Sequence, residues 1–278
     1  MYLRRLSERE IFWLLLLAIC VSLFHWRGIK PGNTFLPVDL ANNNLPWRGE
    51  SGQPLQNALI SDPLYQFYPF LNEAVTTVRD EHQWPLWNSH IMLGHPSVGD
   101  PLAQPFFPLF LLLSLVFGVA RGLGIGLWLL AVIAAGLTYG WLRIVGCKQL
   151  AAFAGAMTYA LSGYMITWFE TTFWLSTLAL LPGILMVFEM AWRKKSPLHV
   201  ALASLLMGLA ILGGQLTFII IFVIFFGLYA LGRAIESRRK KGTSSILPIY
   251  VFVIVVGLGA LLSSVLASRC LTFVSLIK

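Results

Sequence analysis

The side chains able to do polar chemistry are gathered in one stretch of this chain. Seven of the 12 acidic residues (Asp39, Glu50, Asp62, Glu73, Asp80, Glu81 and Asp100) and three of the five histidines (His82, His90 and His95) fall between Arg27 and Gln104. A carboxylate within hydrogen-bond reach of a hydroxyl can take its proton while the oxygen attacks an electrophile, which is general-base chemistry. Two aspartates stand at positions that fix them against the backbone: Asp62 in Ser61-Asp62-Pro63 and Asp100 in Gly99-Asp100-Pro101. Aspartate before proline is also a good helix N-cap, so both have a capping alternative. The histidines invite zinc, but their spacing holds no H-x-x-x-H pair and no H-E-x-x-H, so neither metal nor other cofactor is expected. Asp80-Glu81, between Arg79 and His82, reads as a solvated face.

The elements that must position these groups are membrane helices. Apolar residues make up 57% of the 278 positions and charged residues only 12%, which excludes a water-soluble enzyme. The net charge of +8 points to cytoplasmic helix ends rather than nucleic acid, because no basic tract is interleaved with aromatics. Cys20, Cys147 and Cys270 lie in or beside apolar segments, far apart, and read as packing residues rather than disulfides or zinc ligands. A first apolar run, Ile11 to Trp26, follows a basic flank without a small-x-small cleavage site and is expected to stay as a span.

Seven further stretches are apolar enough to enter a bilayer: Pro105 to Val119, Gly122 to Leu142, Leu150 to Phe169, Thr171 to Trp192, Leu198 to Gly213, Leu216 to Leu231 and Ile246 to Ala267. If all eight cross from an N-terminus inside, Arg143, Lys148, Arg193 to Lys195 and the Arg233 to Lys241 cluster fall outside, against the positive-inside rule. The conflict vanishes if Pro105 to Val119 does not cross, and its proline-punctuated start and shortness against the roughly 20 residues of a span support that. A rival keeps eight spans with the N-terminus outside. Arg4, Arg5, Arg9 and the terminal amine before the first span, against Arg27 and Lys30 after it, favour N-inside. The expected fold is an all-α integral membrane domain. Its first span covers residues 11–26, an external loop 27–104, a re-entrant or juxtamembrane helix 105–119, and six further spans 122–267. Leu198 to Leu231, around Gly213-Gly214, reads as a tight helical hairpin. The loop, rich in aromatics (Trp47, Tyr65, Phe67, Tyr68, Phe70, Trp84 and Trp87), is expected to fold as a cap on the outer face.

Within the loop two stretches are distinctive, SDPLYQFYPF (61–70) and WPLWNSHIMLGHPSVGDPLAQPFFPLF (84–110), followed later by AMTYALSGYMI (156–166). Their order and spacing resemble the YfhO-like family of bacterial multispanning membrane proteins, part of the GT-C superfamily of glycosyltransferases, over roughly residues 55–170. The resemblance implies a multi-pass protein of the bacterial cytoplasmic membrane. It also implies transfer of a sugar, usually with inversion, from a polyprenyl-phosphate donor to an acceptor glycan or lipid on the outer face, using an aspartate of the first external loop. Asp62 is the matching position, with Asp100 second. Gln66, Tyr68, Asn88 and Gln104 are then candidates for holding substrate, the two amides having the alternative of tying the loop together. Trp87 is a candidate for stacking on a sugar or anchoring at the interface. Arg121 would face a lipid phosphate or merely snorkel, with Arg79 and Arg48 behind it. Glu170, a charge between two spans, is a further candidate.

Family members run longer, with more spans, so the chain corresponds to their N-terminal part. The competing expectation is a truncated member acting as a non-catalytic scaffold or a binder of lipid-linked substrate. A transporter is disfavoured because the spans carry almost no charge and no paired broken helices.

Overall fold

The computed structural model describes residues 8–44, 48, 57, 59–97, 100, 102–239 and 246–276, with side chains from 265 onward and that of Arg239 left aside. Arg4, Arg5, Trp47, Glu50, Gly99, Pro101, Lys240, Lys241 and the side chain of Cys270 lie outside the described residues.

Among the described residues eleven α-helices run in the order α1 (Glu8–Phe24), α2 (Trp26–Ile29), α3 (Tyr68–Arg79), α4 (Pro108–Phe117), α5 (Val119–Val145), α6 (Gln149–Ala160), α7 (Gly163–Thr167), α8 (Thr172–Lys194), α9 (Pro197–Leu212), α10 (Leu216–Arg239) and α11 (Leu247–Leu276). A 3-10 helix, Val38–Asn43, and a π-helical turn, Pro63–Phe67, lie before α3. Trp87–Asn88 (β1) and His95–Pro96 (β2) form a two-residue antiparallel ladder. The class is that of an all-α membrane protein.

Five helical stretches among the described residues are long and apolar enough to cross a bilayer: Val119–Val145, Gln149–Thr167, Thr172–Lys194, Leu216–Arg238 and Leu247–Ser264. The expected seven also counted α1 and α9, which at 17 and 16 residues rise only about 25 Å against a core of roughly 30 Å. The α1 helix spends its first turn on Glu8, Arg9 and Glu10, and α9 is bounded by Pro197 and Gly213. The short apolar segment expected over 105–119 forms α4, ten residues and about 15 Å long. It turns back onto α5 through Gly118, and Gly122 allows the approach: a Cβ there would lie 2.4 Å from the backbone of Ser114.

The segment expected as one span over 150–169 is found as a crossing stretch, Gln149–Thr167, that turns at Leu161-Ser162, where the Ser162 hydroxyl accepts the Met165 N–H at 3.3 Å and starts α7. The joint between α9 and α10 is tight, but α9 packs mainly between α8 and α11, and α10 lies on α11. Phe188, Phe226 and Phe252 interlock edge to face across α8, α10 and α11.

The centre of the bundle is the α5/α8 pair, where Leu123, Leu127, Leu130, Ala134, Leu175, Ala179, Ile184 and Phe188 are buried. Small residues let the backbones approach, which is how helices associate when lipid is as apolar as their side chains. The outward faces of α10 (Ile220, Ile221, Ile224, Leu228) and α11 (Val253, Leu258, Leu261) are exposed apolar surface, as lipid contact requires.

One end of the bundle is locked by charge. Glu10 of α1 pairs with Arg143 of α5, Arg193 of α8 donates to the Ile144 carbonyl, and Trp141 donates to Tyr229 of α10. Fully buried Glu189 holds Arg193 and Arg233 together there. The start of α1 therefore shares an end with the finish of α5, α8 and α10, and residues 25–44 and the described residues among 57–107 gather at the other.

Candidate functional site

The π-helical turn that carries Asp62 has a cause in the sequence. Pro69 lacks the N–H that would bond the Tyr65 carbonyl, and its ring crowds that carbonyl, so the helix widens over Pro63–Phe67 before regular geometry resumes in α3. Asp62 already has helical dihedrals (φ −57°, ψ −37°), and its side chain makes no capping bond. The Ser61 carbonyl accepts the Leu64 and Tyr65 N–H groups instead. The capping alternative thus fails for Asp62, whose carboxylate lies exposed at the head of the turn. Tyr65 fixes the turn laterally: its hydroxyl donates to the Leu40 carbonyl and accepts from Asn44 Nδ2 at 2.7 Å. Phe67 is buried edge-on against Phe173. Gln66 is half-buried on the same turn, and Tyr68 packs its ring against the core.

Asp100 does serve the backbone. Its Oδ1 accepts the Leu102 N–H at 2.9 Å, and Oδ2 is 3.8 Å from His95 Nε2. It shares a water-sized hollow of about 10 Å³ with Asn88, His95 and Ser97. Buried Asn88 accepts the His90 N–H through Oδ1, and His90 reaches Glu73 of α3 at 3.2 Å. The 87–96 hairpin is thereby pinned onto α3. The Trp87 indole, partly exposed, covers Gly94, whose φ of 117° and closeness to the ring leave no room for a Cβ.

Gln104 takes the structural alternative. Its Nε2 donates to the Gly213 carbonyl at 2.6 Å and to Ser176 Oγ at 3.2 Å, which ties the loop to α8 and to the α9–α10 joint. Of the arginines at this end, Arg121 donates to the Ile29 and Lys30 carbonyls at the finish of α2, and Arg79 donates to Leu115 O near the finish of α4. Both hold helix C-termini.

Glu170 lines a separate and larger cleft of about 470 Å³, together with Arg27, Asn33, Thr34 and Val38. Burial, helped by the charge of Asp39, pushes its carboxyl from the ordinary 4.5 up to about 7. The structure therefore brings Asn88 together with Asp100 and sets Gln104 and Glu170 apart from them, while Asp62 lines none of these three hollows. Among the described residues no three His, Cys, Asp or Glu side chains converge as metal ligands would.

Sequence reasoning missed Arg27, Asn33 and Thr34, because RGIKPGNTF carries no motif. It also missed Glu189, because a lone acid inside a span shows its partners only after folding.

A helical bundle with one charged, locked end and a loop cap pinned on the other defines a polytopic membrane protein. The family model described as "Bacterial membrane protein YfhO" matches residues 51–270, and the chain belongs to that family. Neither the curated proteins nor the solved structures compared contain a match.

Proposed function

We propose that the protein is a membrane glycosyltransferase that moves a sugar from a polyprenyl-phosphate donor to an acceptor at the outer face of the bacterial cytoplasmic membrane. In this reading the N-terminus is cytoplasmic, the locked end faces inward, and α4 lies along the outer surface without crossing. The observation that carries the reading is Asp62: an exposed carboxylate, freed from capping, at the head of a widened helical turn of a kind that recurs at functional sites. An acceptor hydroxyl hydrogen-bonded to Asp62 attacks the anomeric carbon and gives its proton to the carboxylate. The bond from that carbon to the phosphate oxygen breaks, and polyprenyl phosphate leaves with the electron pair. Inversion follows from attack opposite the leaving group. Asp100, tied to Leu102 N and near His95, supports the loop beside the site.

The test is donor turnover by the purified chain in proteoliposomes, over a panel of polyprenyl-phosphate sugars with acceptor extracts. Transfer that disappears in Asp62→Asn supports the reading, and no turnover with any donor removes it. The second reading, a non-catalytic binder of lipid-linked substrate, is favoured by the water-sized hollows at Asp100 and Gln104, which leave no room for a sugar. Binding without turnover is its signature.

A further inference from the structure

The cleft beyond the finish of α1 is built differently from the hollows in the cap. At about 470 Å³ it is of the size that holds a small ligand, whereas those at Asp100 and Gln104 measure about 10 and 20 Å³. Its lining holds both a guanidinium, Arg27, and a carboxyl group, Glu170, and among the described residues no ion pair joins them. Two such groups on one cleft, unpaired with each other, suit a ligand that is anionic at one end and hydrogen-bond-donating at the other.

The surroundings say how the ligand arrives. Leu23, Phe24 and Trp26, just before Arg27, are exposed apolar surface at the end of the lipid-facing first helix. The Arg27 guanidinium lies 5.9 Å from the centre of the Trp26 ring, so charge and apolar surface are contiguous. An amphiphile sliding along α1 meets the guanidinium as it leaves the hydrocarbon. Arg121 and Arg79 are occupied with carbonyls, whereas Arg27 lines the cleft. Asn33 uses its NH2 group on the Arg27 carbonyl at 2.7 Å, bracing the wall and keeping its amide oxygen as an acceptor.

The cleft is also joined to Asp62. Val38 lines it and begins the 3-10 helix Val38–Asn43, whose Leu40 carbonyl receives the Tyr65 hydroxyl from the Asp62 turn. We infer that this cleft is the seat of the donor headgroup, the phosphodiester against Arg27 and the sugar hydroxyls donating to Glu170 and Asn33, beside the turn that carries the base. The inference rests on the lipid-linked-donor reading above.

The experiment is equilibrium binding of radiolabelled farnesyl-phosphate hexose by the full chain in nanodiscs, with unglycosylated farnesyl phosphate and phosphatidylethanolamine as competitors. Arg27→Gln should weaken binding of both farnesyl ligands at least tenfold, and Arg27→Lys should restore part of it. Glu170→Ala should weaken the glycosylated ligand about tenfold and leave farnesyl phosphate unchanged. Lys30→Gln should bind like the parent. Unchanged binding by Arg27→Gln overturns the inference, as do absence of binding by the parent and displacement by phosphatidylethanolamine as effective as by the glycosylated lipid. Binding that depends on Arg27 without turnover removes the catalytic reading and leaves the cleft assignment standing. Turnover and binding indifferent to Arg27 do the reverse.

Discussion

Glu10 Oε1 accepts a hydrogen bond of 2.7 Å from Arg143 Nη2, joining positions 133 residues apart, while Tyr139 and Gln149 also donate to the same carboxylate. The contact fixes the direction of α1 against α5. With α1 and α5 both crossing the bilayer, an α4 that also crossed between them would put the start of α1 and the finish of α5 on opposite sides, and the pair could not form. In a chain with its native cysteines replaced, single cysteines at Glu8 and Lys148 should label together, only after permeabilisation, and cysteines at the exposed positions Gly32 and Thr167 from outside. Glu8 and Lys148 labelling from opposite sides would break this topology. Because the pair is partly exposed, Glu10→Ala should cost about 1–3 kcal/mol, read as a lowered thermal midpoint.

The return of α4 onto α5 depends on the missing side chain of Gly122. A Cβ there would meet the Ser114 backbone at 2.4 Å, and backbone cannot swing aside as a flexible side chain can. Gly122→Ala should therefore push α4 off α5 and cost about 1–3 kcal/mol. Gly136→Ala, in the same helix with nothing within 4 Å, is the control and should be near neutral. Equal midpoints for the two variants would show that the close approach carries no stability.

Gln104 tests whether the loop amides bind substrate or hold the cap. Gly213 is buried, and Gln104→Leu leaves its carbonyl without the 2.6 Å donor at unchanged backbone strain, since the φ of +46° at this position is the same for both residues. A loss of about 1–3 kcal/mol in unfolding is expected. Unaltered stability with a selective loss of ligand binding would return Gln104 to the substrate.

The membrane class and the approximate helix positions were legible because long apolar runs bounded by basic clusters admit few other structures. The Pro105 start and shortness of the next segment likewise announced α4. What the sequence could not carry was the use to which each polar side chain is put. Gln104 and Asn88 look like sugar-binding amides until Gly213, Ser176 and His90 are seen to occupy them. Asp62 and Asp100 share one local pattern, yet only Asp100 bonds its own backbone, because Pro69 reshapes the helix that follows Asp62. Arg27 gained meaning only when Glu170, far along the chain, was seen to line the same cleft.

Glu170 should make stability depend on pH. Its carboxyl stays protonated in the folded protein up to about 7, whereas the unfolded chain ionises near the ordinary 4.5. Between these values the folded state binds the extra proton, so stability falls as pH rises through the window and levels off above about 7. Glu170→Gln cannot ionise and should remove that part of the slope. Thermal midpoints across pH 5 to 8 provide the measurement, and superimposable curves for parent and variant would show that Glu170 titrates as an ordinary carboxylate.

Asp62 separates catalysis from architecture more sharply because the structure removes its capping role. With no bond to the backbone, Asp62→Ala should leave the thermal midpoint within about 0.5 kcal/mol of the parent rather than showing the roughly 1 kcal/mol loss of a broken cap. Asp62→Asn keeps the volume and the turn but cannot accept a proton. Both variants should lose transfer by about 10²–10⁴-fold, the share that general-base catalysis supplies. Binding of farnesyl-phosphate hexose should stay at parental affinity in both, since the proposed base acts on the acceptor hydroxyl and the proposed donor seat is at Arg27. Asp100→Asn, which can still accept the Leu102 N–H through its amide oxygen, should retain most activity. If Asp62→Asn turns over normally while Asp100→Asn is inactive at full stability, the base is Asp100 and the exposed carboxylate on the widened turn has no part in the chemistry.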